Sequence, residues 1–241
     1  LSIYGMITGM VMPIISFPTL FLVSFSMLIL PEMSEANIIN HKKNIHYMAS
    51  RIIKLTLLFS IMIMNIFIFF AKDLGECIYS SKECGIYLSI FAPLVPLMYL
   101  DKIVDGMLKG LNEQLSYLSY NIIDSIIRVI LIFILLPLIG INGLIIMVFT
   151  STILNSTLSI NRLLKVTHLK ININDWIITP ILCSSISTFA LTILSRNISQ
   201  SIIIKVSIEI TISIILYIIF LILSGTLSRE EIKWFRSLTK A

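Results

Sequence analysis

Two pairs of opposite charges, both within or beside apolar segments, are the chemically distinctive feature of this sequence. Asp105 and Lys109 form one pair, and Asp124 and Arg128 form the other. Residues four apart share one helix face, so each acid would lie beside its base. Charges at membrane depth are costly and normally face a cavity or a partner. All four are therefore candidates for a substrate or ion pathway, unless each pair neutralises itself and only locks neighbouring helices.

The other reactive side chains form no catalytic pattern. The sequence has no nucleotide-binding motif and no metal-ligand cluster, and its histidines stand apart at positions 41, 46 and 168. Cys77 and Cys84 share one segment, which leaves open either a disulfide or two free thiols. For Lys205 and Glu209, simple pairing explains the four-residue spacing. We expect no catalytic residue, no cofactor and no metal, and therefore a protein that is not an enzyme.

The composition indicates a membrane protein. Hydrophobic residues make up 57% of the chain and charged residues 13%, and the mean hydropathy is +0.98. A soluble domain usually carries about 25% charged residues. The net charge of +5 would suggest nucleic acid as the partner of a soluble protein. Here the basic residues lie between apolar runs, so we expect membrane lipids and no nucleic acid as partners.

Seven apolar segments could each cross a bilayer, for which about 20 residues are needed. The predicted spans are 3–30, 53–71, 85–100 (with the pattern extending to 111), 118–136, 141–160, 176–194 and 202–223. Backbone groups in lipid must be satisfied within each segment, which favours helices. The sequence therefore predicts an all-α polytopic bundle of about seven transmembrane helices.

Prolines and glycines in these spans predict where helices bend and where they pack closely. Four prolines should bend the first and third spans and are candidate hinges; they are Pro13, Pro18, Pro93 and Pro96. Two small-residue motifs, Gly5 to Gly9 and Gly106 to Gly110, permit close approach of helices.

The basic residues predict an orientation. Alternating loops place 13 of the 18 on one side and four on the other, with Arg128 inside a span. The richer side should be cytoplasmic, which puts Leu1 outside, Ala241 inside and the longest loop, 32–51, in the cytoplasm of a multi-pass plasma-membrane protein. The tail, 226–241, would be either an amphipathic helix on the cytoplasmic surface or a frayed basic segment. Because the chain begins beside an apolar segment without a charged leader, we expect an N-terminal portion to be missing.

Several stretches together resemble a known family. They are Phe17 with Pro18, 28–36 (LILPEMSEA), 92–100 (APLVPLMYL), 105–111 (DGMLKGL), 121–125 (NIIDS) with Arg128, and 140–143 (GING). In order and spacing, over residues 1–167, they resemble the stage V sporulation protein B-like family. That family belongs to the multidrug/oligosaccharidyl-lipid/polysaccharide exporter superfamily.

The resemblance implies a fold and an activity. The fold would be two bundles of six helices around a central cavity, with residues 1–167 as most of the second lobe. Residues 168–225 would be two additional helices, residues 226–241 the tail, and the missing N-terminal lobe a partner. The implied activity is alternating access that flips a polyprenyl-linked glycan, in the sporulation branch a precursor of spore cortex peptidoglycan. One departure is that residues 1–31 carry no charge, whereas lipid II flippases place an arginine there.

Three other functions stay open at this point. The same superfamily contains exporters of drugs and other small molecules. A membrane enzyme such as a glycan ligase would usually need a sizeable loop with catalytic carboxylates or histidines. A scaffold that recruits wall-synthesis enzymes would need neither a cavity nor a pathway.

Overall fold

The chain is helical throughout most of the residues that the structure describes. The computed structural model describes residues 3–169, 171–194 and 202–227, and these ranges contain no β-strand. The helices are α1 Ile3–Ser16, α2 Thr19–Ile38, α3 Lys42–Phe69, α4 Ala71–Tyr79, α5 Lys82–Phe91, α6 Val95–Gly110, α7 Gln114–Ile139, α8 Ile141–Thr167, α9 Thr179–Leu194 and α10 Ile202–Leu223. The predicted all-α class is confirmed.

Six segments within these ranges are long and apolar enough to cross a membrane, where the sequence predicted seven. They are Thr19–Ile38, Lys42–Phe69, Lys82–Gly110, Gln114–Ile139, Ile141–Thr167 and Ile203–Leu223, with Ile3–Ser16 as a shorter apolar helix. The predicted span 176–194 consists of a π-helical turn, Asn174–Ile178, and the 16-residue α9. At 1.5 Å per residue, α9 alone reaches about 24 Å, whereas together with the π-helical turn that it directly continues it reaches about 30 Å.

The first predicted span, 3–30, is not one helix. The chain turns at Phe17 and Pro18, so that α1 ends at Ser16 and α2 begins at Thr19. Pro18 has no N–H to continue the helix, and the Thr19 hydroxyl donates instead to the Ser16 carbonyl at 2.5 Å. A π-helical turn, Ile7–Val11, precedes Pro13, and this widened turn gives room to the proline ring.

The prediction that residues 32–51 form a loop is wrong, while their cytoplasmic location stays a prediction. Helix α2 continues through Pro31 to Ile38, and α3 begins at Lys42, so only three residues connect them. Asn40 makes the reversal with a left-handed backbone, φ 58°. Hydropathy marks where a helix contacts lipid, whereas backbone hydrogen bonding continues into water. The charged ends of α2 and α3 are therefore helical.

The third predicted span is interrupted where its two prolines lie. A short 3-10 turn, Ala92–Leu94, separates α5 from α6. Pro93 and Pro96 each remove a backbone donor, and the tighter turn accommodates the loss. The break is thus at the predicted place, and the hinge role of the four prolines stays a prediction.

The chain divides into two compact units, A and B. Unit A contains α2, residues 42–56 of α3, α6 from Pro96, α7 and α8. Its α6 packs against α2 through the predicted glycine motif: a Cβ on Gly106 would collide with the Ser26 hydroxyl, and one on Gly110 would lie 3.0 Å from Met33 Cβ. The other motif does not behave this way, because a Cβ on Gly9 would meet no atom within 4 Å.

Unit B contains residues 6–15 of α1, residues 57–69 of α3, and α4, α5, α9 and α10. In it, α4 and α5 form a tight hairpin, since a Cβ on Gly75 would lie 2.6 Å from the Gly85 nitrogen. Cys77, Cys84 and Cys183 are all free thiols. The domain boundaries 1–167, 168–225 and 226–241 stay a prediction, and the amphipathic tail falls outside the described residues except for Thr226 and Leu227.

Candidate functional site

A polar cavity of about 220 Å³ lies inside unit A, between α6, α7 and α8. The residues that line it are mostly polar or charged: Met98, Asp101, Lys102, Tyr117, Asn121, Asp124, Arg128, Ser151, Thr152, Asn155 and Ser156. Within each helix the lining residues recur after three or four positions, with adjacent residues at 101–102, 151–152 and 155–156, so that each helix contributes one face. Of the four charged candidates from the sequence, two are in this lining.

Asp124 and Arg128 form the most tightly bonded group of the cavity, together with Ser151. Arg128 Nη2 donates to Asp124 Oδ2 at 2.7 Å and to Ser151 Oγ at 2.7 Å. The Ser151 hydroxyl donates in turn to Asp124 Oδ1 at 2.6 Å. The Asp124 side chain is 5% exposed, whereas that of Arg128 is 52% exposed. The carboxylate is therefore fixed inside unit A, while half of the arginine side chain remains accessible.

A second polar pair joins α6 to α8. Asn155 Nδ2 donates to Asp101 Oδ2 at 3.1 Å, and the Ser156 hydroxyl donates to the Leu97 carbonyl at 3.1 Å. The remaining oxygens, Asp101 Oδ1 and Asn155 Oδ1, are buried without a hydrogen-bond partner. Sequence reasoning missed both residues. Two signals could have revealed them: Asp101 lies four residues before Asp105, and the polar residues of α8 include three at four-residue spacing, at 151, 155 and 159.

Asp105 and Lys109 form the predicted pair but do not line the cavity. Lys109 Nζ lies 2.8 Å from Asp105 Oδ2, and it also lies 5.9 Å from the centre of the Tyr117 ring. In unit B, Lys205 Nζ lies 3.9 Å from Glu209 Oε1, as expected for simple pairing. Whether Asp105 and Lys109 take part in a pathway stays a prediction.

A salt bridge beyond the cavity connects the start of α7 to α8. Arg162 Nε donates to Glu113 Oε2 at 3.0 Å, and its Nη2 donates to Oε1 at 2.9 Å and to Oε2 at 2.8 Å. Ser116 donates to the same carboxylate at 2.8 Å. Burial alone would raise the pKa of Glu113, but the hydrogen bonds from Arg162 and Ser116 outweigh it and lower the pKa. The carboxylate is thus held ionised.

The fold and the site define the class of this protein as a multi-pass helical membrane protein with a polar cavity inside one helical unit. The family model for MatE matches residues 7–134, which is more than half of the chain, and the chain belongs to the MatE family. The matched region runs from α1 into α7 and includes Asp101, Asp124 and Arg128. This membership confirms the resemblance to the exporter superfamily.

A curated relative gives a second comparison. The chain is similar to stage V sporulation protein B of Bacillus subtilis (strain 168), with 24% identity over 204 residues. The alignment covers 83% of this chain and 39% of the relative, so the chain spans about two fifths of that protein's length. No solved structure matches the chain.

Proposed function

We propose that this chain is part of an exporter or flippase that moves a polyprenyl-linked glycan across the plasma membrane by alternating access. The cargo would be a peptidoglycan or polysaccharide precursor, including that of the spore cortex. Membership of the MatE family and the similarity to a protein named for sporulation support this choice. An ion gradient would supply the energy, since the sequence has no nucleotide-binding motif.

The observation that carries the proposal is the position of Arg128. An arginine facing lipid at the bilayer midplane costs about 2–4 kcal/mol. Here it lines a cavity, is tied to Asp124 and Ser151 through one nitrogen, and keeps half of its side chain accessible. A purely neutralising pair needs no cavity beside it. We infer that the accessible donors of Arg128 meet an anionic group of the cargo, such as a phosphate.

The orientation is part of the proposal. We infer a cytoplasmic C-terminus and an external N-terminal end from the 13-to-4 distribution of basic residues. Single cysteines placed at Lys42 and at Lys82 in a cysteine-free background would test it. Only the cysteine at 82 should react with an impermeant maleimide in intact cells, and labelling at 42 instead would reverse the orientation.

The activity can be tested with the complete natural protein in liposomes. A fluorescent polyprenyl-diphosphate saccharide is placed in both leaflets, and dithionite then bleaches the outer leaflet. An active flippase lets the bleaching extend to the inner pool, which protein-free liposomes protect. Arg128→Ala should remove this activity, whereas Arg51→Ala should leave it unchanged as a matched arginine control.

The same preparation separates the other functions. Export of a cationic dye without glycan flipping would favour a drug exporter. A covalently altered glycan, seen by mass spectrometry, would contradict the proposal and indicate an enzyme. Failure to move either compound in liposomes, with wall synthesis still rescued in cells, would indicate a scaffold.

A further inference from the structure

Buried polar atoms without partners are concentrated along one seam of unit A. In the ranges that the structure describes, four such side-chain atoms occur, all on α6 or α8: Asp101 Oδ1, Asp105 Oδ1, Asn155 Oδ1 and Ser159 Oγ. The Ser159 hydroxyl lies close enough to the Asp101 carboxyl to interact with it, so Asn155 Oδ1 is the clearest exception. Buried polar groups are almost always hydrogen-bonded, so each exception needs an explanation. Three of the four are oxygens of carboxyl groups or of an amide, and such oxygens accept hydrogen bonds. The seam therefore calls for a ligand that donates.

Two of these acceptors belong to the cavity and are held in fixed positions. The bond from Asn155 Nδ2 to Asp101 Oδ2 orients both planar groups, and Asp101 and Asn155 both line the cavity. Asn121 and Tyr117 line it as well, and they add an amide and an aromatic ring. Binding sites for small molecules typically combine a few polar groups, which orient the ligand, with aromatic side chains that pack against it.

The charges and the size of the cavity narrow the class of ligand. The lining contains two acidic residues, Asp101 and Asp124, and two basic residues, Lys102 and Arg128, so the residue types are balanced in formal charge. The volume of about 220 Å³ is smaller than the roughly 300–1,000 Å³ typical of drug-sized ligands. These properties suit a single neutral ring with several hydroxyl groups.

We propose that this cavity is a subsite for one sugar ring of the cargo. Ring hydroxyls donate to Asp101 Oδ1 and Asn155 Oδ1, and the C–H face of the ring packs on Tyr117. The accessible half of Arg128 then remains for the phosphate that joins the sugar to its lipid. The subsite rests on the proposed function, since that function makes a glycan the cargo.

The test measures binding of free sugars to the complete natural protein by saturation-transfer NMR. The probes are the methyl glycosides of glucose and of N-acetylglucosamine, with tetrahydropyran-2-methanol as a ring that lacks ring hydroxyls. Both glycosides should bind the wild type, and the hydroxyl-free ring should not. Asp101→Asn replaces one carboxyl oxygen by an NH2 group that cannot accept a hydrogen bond, and it should weaken binding by about tenfold or more. Asp73→Asn, on α4 of unit B, is the matched control and should bind like the wild type.

A second pair of variants separates a binding role from a structural one. Tyr117→Phe keeps the aromatic face and should keep sugar binding, whereas Tyr117→Leu should lose it even though both proteins elute as monodisperse peaks. Equal binding by Asp101→Asn and wild type, or equal binding of the hydroxyl-free ring, would overturn the subsite.

Two further outcomes also count against the subsite. If sodium ions raise the melting temperature of the wild type but not of Asp101→Asn, and the sugars have no effect, the orphaned oxygens hold a cation. If no glycoside binds while the lipid-linked glycan is still flipped, the subsite fails and the proposed function stands. Absence of flipping by the wild type is the separate result that rejects the proposed function.

Discussion

Each unit buries a polar cluster between its helices, and the two clusters differ in how fully their hydrogen-bonding groups are satisfied by the chain. In unit B, Asn65 Nδ2 donates to Ser184 Oγ at 2.6 Å and to the Ile61 carbonyl at 3.1 Å. Ser185 donates to Asn65 Oδ1 at 3.2 Å, so the amide of Asn65 is satisfied by the chain itself. In unit A, Asp101 and Asn155 each keep an oxygen without a partner.

The difference separates a structural cluster from a candidate binding site. A satisfied network stabilises the packing of helices and has no donor or acceptor left for a ligand. An incomplete network is costly unless something else completes it. The cluster of unit A borders a cavity and the cluster of unit B joins α3 to α9, so we expect mutations to affect transport in the first and stability in the second.

The largest expected effect is that of Arg128→Ala on transport. Loss of the guanidinium removes the cationic group that we assign to the phosphate, so growth rescue by the complete natural protein should disappear. Membrane levels, measured by immunoblot, should stay normal because Asp124 keeps its bond from Ser151. Full transport activity of Arg128→Ala would contradict the role that we assign to the cavity of unit A.

The charge-reversed double variant, Asp124→Arg with Arg128→Asp, distinguishes the two interpretations of this pair. Attraction is preserved in the double variant, so a pair that only joins helices should tolerate the swap. The positive charge, however, moves by about 6 Å along the axis, so a pair that meets a phosphate should stay inactive. Low membrane levels of Arg128→Ala that the swap restores would support the structural interpretation.

A smaller effect is expected for Asn65→Leu in unit B. The variant removes the bonds to Ser184 and Ser185, although Ser184 keeps its bond to the Ile181 carbonyl at 3.1 Å. Hydrogen bonds between membrane helices contribute about 0.6 kcal/mol on average and up to about 1.7 kcal/mol. The melting temperature in detergent should therefore fall, while transport per folded protein is unchanged. Loss of transport with an unchanged melting temperature would contradict the comparison.

Spacing and composition predicted what depends on local geometry. The four-residue rule placed Asp124 beside Arg128 and Asp105 beside Lys109, because helix geometry alone brings such residues together. Proline chemistry located the break at Pro93. The sequence misplaced the polar ends of α2 and α3, because hydropathy measures contact with lipid and not the length of a helix.

The partners between helices could not be read from the sequence. Ser151 is 27 residues from Asp124 and completes its carboxylate, and Asn155 is 54 residues from Asp101. Serine and asparagine are common in membrane helices, where they hydrogen-bond within or between helices. Only the packing of α6, α7 and α8 decides which of these side chains meet, and therefore which of the charged pairs borders a cavity.

The smallest expected effect concerns the salt bridge between Glu113 and Arg162, which lies outside both clusters. The pKa of Glu113 is lower in the folded protein than its ordinary value, so the bridge stabilises the fold above the unfolded-state pKa of about 4.3. That contribution is lost as the pH falls through the folded-state pKa. The melting temperature of Glu113→Gln should therefore lie slightly below that of the wild type at pH 7, and the two should converge in acid. The difference should also shrink in high salt, because the pair is partly exposed and therefore screened. A gap that persists at a pH where Glu113 is protonated in the folded protein as well would mean that Glu113 acts through packing and not through its charge.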